Sequence, residues 1–268
     1  MANRFKDRVV VITGGGRGIG RATALAFAEE GASCVLAGRR MDALRTTAGE
    51  VRHCGGTAEV VQCDVMKDED LIALVAKALD VDGRIDVLVN NAGVLTGGRL
   101  DEVTKDDLDR IVGVNVWAPL RLTQLVLPHM RERKSGAIVN VASVAGRMGV
   151  PYLATYSASK FAMRGFSEAL RRELRPDNIH VMAVYPGFTA TDMMETVDVG
   201  RLGMSMATAQ QVGQAIARGV QWKQPEVFIG IGDSLMSRWN DVAGWTVDIG
   251  MDMMREQFRT AASGQRTV

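Results

Sequence analysis

Tyr156 and Lys160 stand four residues apart in a stretch of helical periodicity, so both side chains project from one face. An ammonium beside a phenol favours the phenolate. The pairing therefore predicts a tyrosine pKa drawn down from about 10 toward the range of a general acid/base. Taken alone, a Tyr-x-x-x-Lys pair also fits an ordinary helix-surface contact. Ser143 follows the apolar run Ala137–Val141, where a hydroxyl at the carboxyl end of a strand can donate to a substrate oxygen. Ser157 and Ser159 are nearer to the tyrosine in sequence but are expected to point elsewhere around the helix.

A second group of residues suits a phosphorylated ligand. Thr13-Gly14-Gly15-Gly16-Arg17-Gly18-Ile19-Gly20 follows directly on the apolar run Val9-Val10-Val11-Ile12. Glycines there let the chain turn sharply and approach a pyrophosphate resting on the N-terminus of the next helix. The spacing is G-x-x-x-G-x-G, not the common G-x-G-x-x-G, and no Lys-Ser/Thr follows to make a Walker loop. A plain turn also explains a glycine cluster. Its place between a buried strand and an amphipathic helix favours a cofactor cradle.

An NAD site usually carries an acid about 20 residues past the glycines, to bond the ribose hydroxyls. Here the second strand ends Leu36-Ala37-Gly38-Arg39-Arg40, with no acid. Arg39 and Arg40, with Arg17 from the glycine loop, suit a 2′-phosphate, because a guanidinium donates two parallel bonds. The expected cofactor is NADP(H). A solvated arginine pair fits Arg40 more readily than Arg39. Asp64-Val65 ends the third strand, where a carboxylate and an apolar side chain can meet an adenine. Asn90-Asn91-Ala92-Gly93 ends the fourth, where small residues and amides suit a ribose but also suit a turn.

The elements that must position these groups alternate along the chain. Strand-like runs lie at Val9–Ile12, Cys34–Ala37, Ala58–Cys63, Ile85–Asn90, Ala137–Val141, Ile179–Tyr185 and Val227–Ile229. Helical stretches lie at 17–30, 42–53, 68–80, 104–132, 155–175 and 208–222. Strands apolar on both faces, alternating with helices, mean a parallel sheet covered on both sides. The expected fold is α/β: a doubly wound, parallel seven-stranded, Rossmann-like sheet with helices on both faces, in one domain over 1–268.

Together, Thr13–Gly20, Asp64, Asn90–Gly93, Asn115, Ser143, Tyr156-x-x-x-Lys160 and Pro186-Gly187 resemble the short-chain dehydrogenase/reductase family, in its single-domain branch, from about residue 5 to 192. The resemblance implies a catalytic tetrad of Asn115, Ser143, Tyr156 and Lys160. Tyr156 would exchange a proton with the substrate oxygen while Ser143 polarises it. Lys160 would hold the nicotinamide ribose, and Asn115 would position a water in the proton relay. Pro186, Gly187, Thr189 and Thr191 resemble the segment beside the nicotinamide, with Thr189 at its carboxamide and Thr191 at the pyrophosphate. The resemblance further implies a homodimer or homotetramer through the helices bearing Leu120–Met130 and Phe161–Leu174. The expected activity is reversible reduction of a ketone or aldehyde to an alcohol. A non-catalytic NADP(H)-binding regulator and an enoyl reductase are the alternatives.

Composition excludes other classes. The 268 residues hold 32 Lys+Arg against 31 Asp+Glu, a formal charge of +1, which favours neither nucleic acid nor an acidic membrane. No apolar run approaches the ~20 residues of a membrane span, and Asn3–Arg8 is too charged for a signal peptide. Cys34, Cys54 and Cys63 form no CxxC pair, and His53, His129 and His180 have no metal-ligand spacing. A cytoplasmic protein without a metal is expected. The family pattern thins toward the C-terminus. A substrate lid is expected near 190–207, where Met193, Met194, Met204 and Met206 suit either a bulky apolar substrate or core packing. From about Gly232, Trp239, Trp245, Met251, Met253, Met254 and Phe258 suggest an added helical piece, packed near the lid or on a partner.

Overall fold

In strand β1 (Val9–Thr13) all five residues, Val-Val-Val-Ile-Thr, are buried, and their side chains alternate between two cores. Val10 and Ile12 enter one, Val9 and Val11 the other, as a strand covered on both faces requires. The computed structural model describes residues 3–190 and 206–263. The remaining strands are β2 (Ser33–Gly38), β3 (Thr57–Gln62), β4 (Val87–Asn90), β5 (Gly136–Val141), β6 (Ile179–Tyr185), the short pair β7 (Thr189–Ala190) and β8 (Ala207–Thr208), and β9 (Glu226–Phe228). The helices are α1 (Gly18–Ala28), α2 (Met41–His53), α3 (Asp68–Asp82), α4 (Lys105–Val112), α5 (Ala118–Glu132), α6 (Ala154–Glu173), α7 (Ala209–Gln221), α8 (Ile231–Met253) and α9 (Arg255–Ser263).

The seven-stranded sheet is parallel throughout, in the order β3-β2-β1-β4-β5-β6-β9. This is the doubly wound arrangement expected. The chain reverses direction across the sheet between β1 and β4, which opens a crevice at their carboxyl ends. One face is covered by α1, α2 and α7 through Phe27, Leu44, Val51 and Ile216. The other is covered by α3, α5 and α6 through Leu71, Leu74, Leu122, Val126 and Leu170. At the opposite, amino end of the strands, the buried Asp86 carboxylate accepts from Arg8, Arg84, Arg133 and the Val9 amide at 2.5–2.9 Å. Burial pushes that carboxyl up, but the hydrogen bonds from Arg84, Val9 and Arg8 outweigh it and hold Asp86 below its ordinary range.

Three features depart from the sequence expectations. The helix expected over 104–132 is two helices, α4 and α5, joined by a wider π turn over Gly113–Trp117. Such turns shift the side chains that follow, and this one carries Asn115. Read straight through that turn, Lys105–Glu132 spans 28 residues, with mean hydropathy 1.2 over its most apolar window. That is long and apolar enough for a membrane span, contrary to the expectation that no run comes close. The apolarity has another use here: Leu122, Val126 and Met130 pack into the core beneath the sheet. Finally, β7 and β8 form a small parallel pair outside the main sheet, through Thr189–Ala207 and Ala190–Thr208, which periodicity over two residues cannot signal.

Candidate active site

The crevice is a cleft of about 360 Å³ along the carboxyl ends of the strands. Gly14, Gly16, Arg17, Gly18 and Ile19 line it after β1, and Arg39 and Arg40 after β2. Asp64 and Val65 line it after β3, and Asn91, Ala92 and Gly93 after β4. Ser143, Tyr156, Lys160, Pro186, Gly187 and Thr189 line the opposite half. Gly20 and Asn115 do not line the cleft; they support residues that do. Thr191 and most of the expected lid lie outside the described residues.

The glycine loop is held by contacts too close for side chains. Gly14 has φ +66, in the left-handed region. A Cβ on Gly20 would fall 2.1 Å from the Gly14 carbonyl oxygen and 2.6 Å from Asn91 Nδ2. Asn91 Nδ2 donates to the carbonyls of Thr13 (2.8 Å) and Gly14 (3.3 Å), and Thr13 Oγ1 accepts from the amides of Asn91 and Ala92. These bonds join the loops after β1 and β4 across the switch point. Helix α1 then starts with Arg17 extended (φ −158, ψ 172) and no side-chain cap on its first turn. The N-cap side chain thus does not compete for the first amide N–H groups of α1. Asp64 Oδ1 accepts from the Met66 amide at 3.1 Å, which shapes the turn after β3.

On the other side, Ser143 Oγ accepts from the Ala145 amide at 3.2 Å and donates to the Pro186 carbonyl at 3.4 Å. It opens a short 3-10 turn, Val144–Gly146, that presses on α6. A Cβ on Gly146 would fall 2.5 Å from the Lys160 carbonyl oxygen, so only glycine permits this approach. Tyr156 and Lys160 occupy the start of α6 and are both buried. Lys160 Nζ donates to the Val141 carbonyl at 3.0 Å and lies 5.6 Å from the centre of the Tyr156 ring.

The expected depression of the tyrosine pKa does not occur. Burial raises the Tyr156 phenol above its ordinary value, and a hydrogen bond with Ser143 opposes this only in part. Burial also lowers Lys160 to about 8. Spacing on a helix correctly puts the ammonium beside the ring, but removing the phenolate from water costs more than that proximity returns. The Cys63 thiol, also on the cleft wall, is pushed up to about 12 by burial and by Asp70 and Asp64, so it is no nucleophile.

Asn115 is held tightly. Its Oδ1 accepts from the Val94 amide (2.8 Å), and its Nδ2 donates to the Val94 carbonyl (2.9 Å) and to Ser159 Oγ (3.0 Å). Ser159 Oγ in turn donates to the Tyr156 carbonyl at 2.7 Å. Ser159, which does not line the cleft, ties the π turn to the turn of α6 that carries the tyrosine. Sequence reasoning also passed over Arg110, Leu95, Val150 and Leu153 on the cleft wall, and set Phe258 only in the C-terminal helical piece, not on that wall. Of these, Phe258 has no local signal, since it comes from the far end of the chain. Among the described residues, no three His, Cys, Asp or Glu side chains gather as metal ligands.

A parallel sheet in this order, with a glycine loop at its switch point, describes a nucleotide-binding α/β protein. The family model for short chain dehydrogenase matches residues 8–201, and the chain belongs to that family of oxidoreductases. It is 36% identical over 225 residues to the ketoacyl reductase HetN of Nostoc sp., covering 83% of this chain and 78% of that one. It is 37% identical over 227 residues to the cyclopentanol dehydrogenase of Comamonas testosteroni, covering 84% and 90%. A short chain dehydrogenase/reductase from Burkholderia phymatum, solved in complex with NAD, superposes with a TM-score of 0.82 at 28% identity, covering 89% of this chain and 94% of that one.

Proposed function

We propose that residues 1–268 form a single-domain, NADP(H)-dependent oxidoreductase that reversibly reduces a ketone or aldehyde to an alcohol, with Tyr156 as the general acid/base. The observation that carries this reading is the buried Tyr156 phenol, in the same cleft as Ser143, Lys160 and the glycine loop. The cradle fits a dinucleotide: its glycines leave room for backbone to meet a pyrophosphate, and the uncapped start of α1 favours an anion. Gly14, Gly16, Gly18, Ile19 and Gly20 would form that cradle. Asp64 and Val65 would face the adenine, Asn91, Ala92 and Gly93 the ribose, Pro186, Gly187 and Thr189 the nicotinamide side, and Thr191 the pyrophosphate. When bound, the nicotinamide supplies the hydride.

The protein's own task is to hold the carbonyl and deliver one proton. Ser143 donates to the substrate oxygen, and Tyr156, protonated at neutral pH because burial raises its pKa, gives its proton to the nascent alkoxide. Lys160, still mostly charged below about pH 8, stabilises negative charge as it develops on the phenol. Asn115 holds Val94 and, through Ser159, the first turn of α6 in register with the cleft. NADPH consumption across a ketone panel tests the reading; no turnover of any ketone or aldehyde would overturn it.

The preference for NADP(H) over NAD(H) rests on Arg17, Arg39 and Arg40, all exposed on the cleft wall with no acid at the end of β2. Arg39→Ser is expected to weaken NADPH binding by about 10- to 100-fold, the worth of a hydrogen bond to a charged group. NADH binding should be unchanged. Parallel fluorescence titrations decide it, and wild-type protein that binds NADH as tightly as NADPH would refute the assignment. Exposed Trp117 and Leu120 at α5 and Phe161 on α6 support assembly as a homodimer or homotetramer through these helices. Light scattering should give a multiple of the 29.0 kDa chain mass; a monomer at micromolar concentration would exclude it.

A further inference from the structure

The segment after β9 is fastened to the site at two places. Asp233, in the first turn of α8, packs so closely on Gly187 that a Cβ there would fall 2.6 Å from its Oδ2. Farther along, Asp241 Oδ2 accepts from Arg147 Nη2 at 2.9 Å, and Asn240 Nδ2 donates to the Arg147 carbonyl at 3.3 Å. Arg147 directly follows the turn that begins at Ser143. Its side chain is 8% exposed, it pairs with Glu226 at 3.4 Å, and it lies over the Tyr185 ring at 5.5 Å. Both anchors lie on the β5–β6–β9 side of the switch point, with Ser143. Arg39 and Arg40 lie on the β2 side.

The apolar side chains of this extension divide sharply. Trp239 and Trp245 are 57% and 69% exposed, whereas Phe258, in α9, is 6% exposed and lines the cleft. Helix α9, which follows α8, turns one aromatic ring inward. Leu95, Val150 and Leu153 are apolar wall residues of the same cleft. Both anchors of the extension lie on the Ser143 side of the cleft that the ring enters.

We propose that α8 and α9 form the outer wall of the substrate end and that Phe258 sets the size of the ketone admitted, favouring small apolar ketones over bulky ones. The inference rests on the carbonyl reading above and adds to it which residue selects the substrate. A benzyl side chain offers apolar contact and excludes volume, but anchors no charged or polar group. Selection should therefore act on the bulk flanking the carbonyl.

The test uses the full-length chain with Phe258→Ala, Phe258→Leu and Phe258→Trp, and a series of ketones from cyclopentanone to bulky bicyclic and aryl ketones. The ratio of kcat/KM for bulky over small ketones should rise about tenfold in Phe258→Ala, rise less in Phe258→Leu and fall in Phe258→Trp. NADPH affinity should stay at the wild-type value in all three. If Phe258→Ala fails to fold, Phe258→Trp carries the opposite expectation by itself. The same ketones are titrated calorimetrically into the NADP+-loaded proteins, so that binding is read without turnover. A shifted Kd ratio with no turnover would support the wall and overturn the carbonyl-reductase reading. Unchanged ratios in both measurements would overturn the wall alone, and no binding of any ketone would overturn both.

Discussion

Tyr156→Phe is expected to lower ketone reduction by about 10²- to 10⁴-fold, the usual contribution of a positioned general acid, while NADPH affinity and melting temperature stay near wild type. The substitution removes one oxygen and keeps the ring that fills the start of α6. The lost oxygen is the proton-donating group, in the cleft that Tyr156 shares with Ser143. Because burial raises the phenol pKa, wild-type reduction should be level across neutral pH, with Tyr156 in its proton-donating form. The rate should fall as pH rises through about 8, where Lys160 loses its proton and no longer offsets charge on the phenol. Initial rates of NADPH oxidation against pH measure both effects. Turnover by Tyr156→Phe close to wild type would remove the tyrosine from the mechanism.

Gly20→Ala is the second large effect. The added methyl would lie 2.1 Å from the Gly14 oxygen, 2.8 Å from the Gly14 carbonyl carbon and 2.6 Å from Asn91 Nδ2. Two of these are backbone atoms, so the collision cannot be relieved by rotating a side chain. The Gly14 peptide must retreat by roughly an ångström, and it carries with it the acceptor of the 3.3 Å bond from Asn91. Misplacement on that scale costs about 10²-fold where positioning matters. NADPH affinity should fall by about that factor, and stability should fall with it, because the same bonds join β1 to β4. Fluorescence titration with NADPH and thermal melts check the two parts. Wild-type affinity in Gly20→Ala would show that the loop does not cradle the dinucleotide.

Most of the cleft was legible before folding because its parts are local. Val9–Ile12 followed by glycines reads as a strand, a turn and a helix start without knowledge of any other segment. Tyr156 and Lys160 share a helix face through spacing alone. Arg39 and Arg40 stand at the end of a strand that its own β-branched and apolar residues define. Asn115 was placed only through family resemblance, since nothing in Gly113–Trp117 announces a π turn. What Ser159 touches could not be read from a straight helix projection, which does not show what packs on each face. Its partner comes from the π turn, across a sequence separation of 44 residues.

By itself, the sequence determined the alternation of strands and helices, the glycine loop, the arginine pair after β2 and the pairing of phenol with ammonium. These depend on short-range sterics and periodicity, which a chain carries wherever it folds. Only the tertiary structure decided how deeply Tyr156 and Lys160 are buried, and therefore that desolvation, not the neighbouring charge, sets the direction of the phenol's pKa. It also decided that Asp241 reaches Arg147 across 94 residues and that Phe258 turns into the cleft while Trp239 and Trp245 face outward. Burial and long-range contact are properties of how elements pack around one another, and no local pattern encodes which distant side chain will arrive.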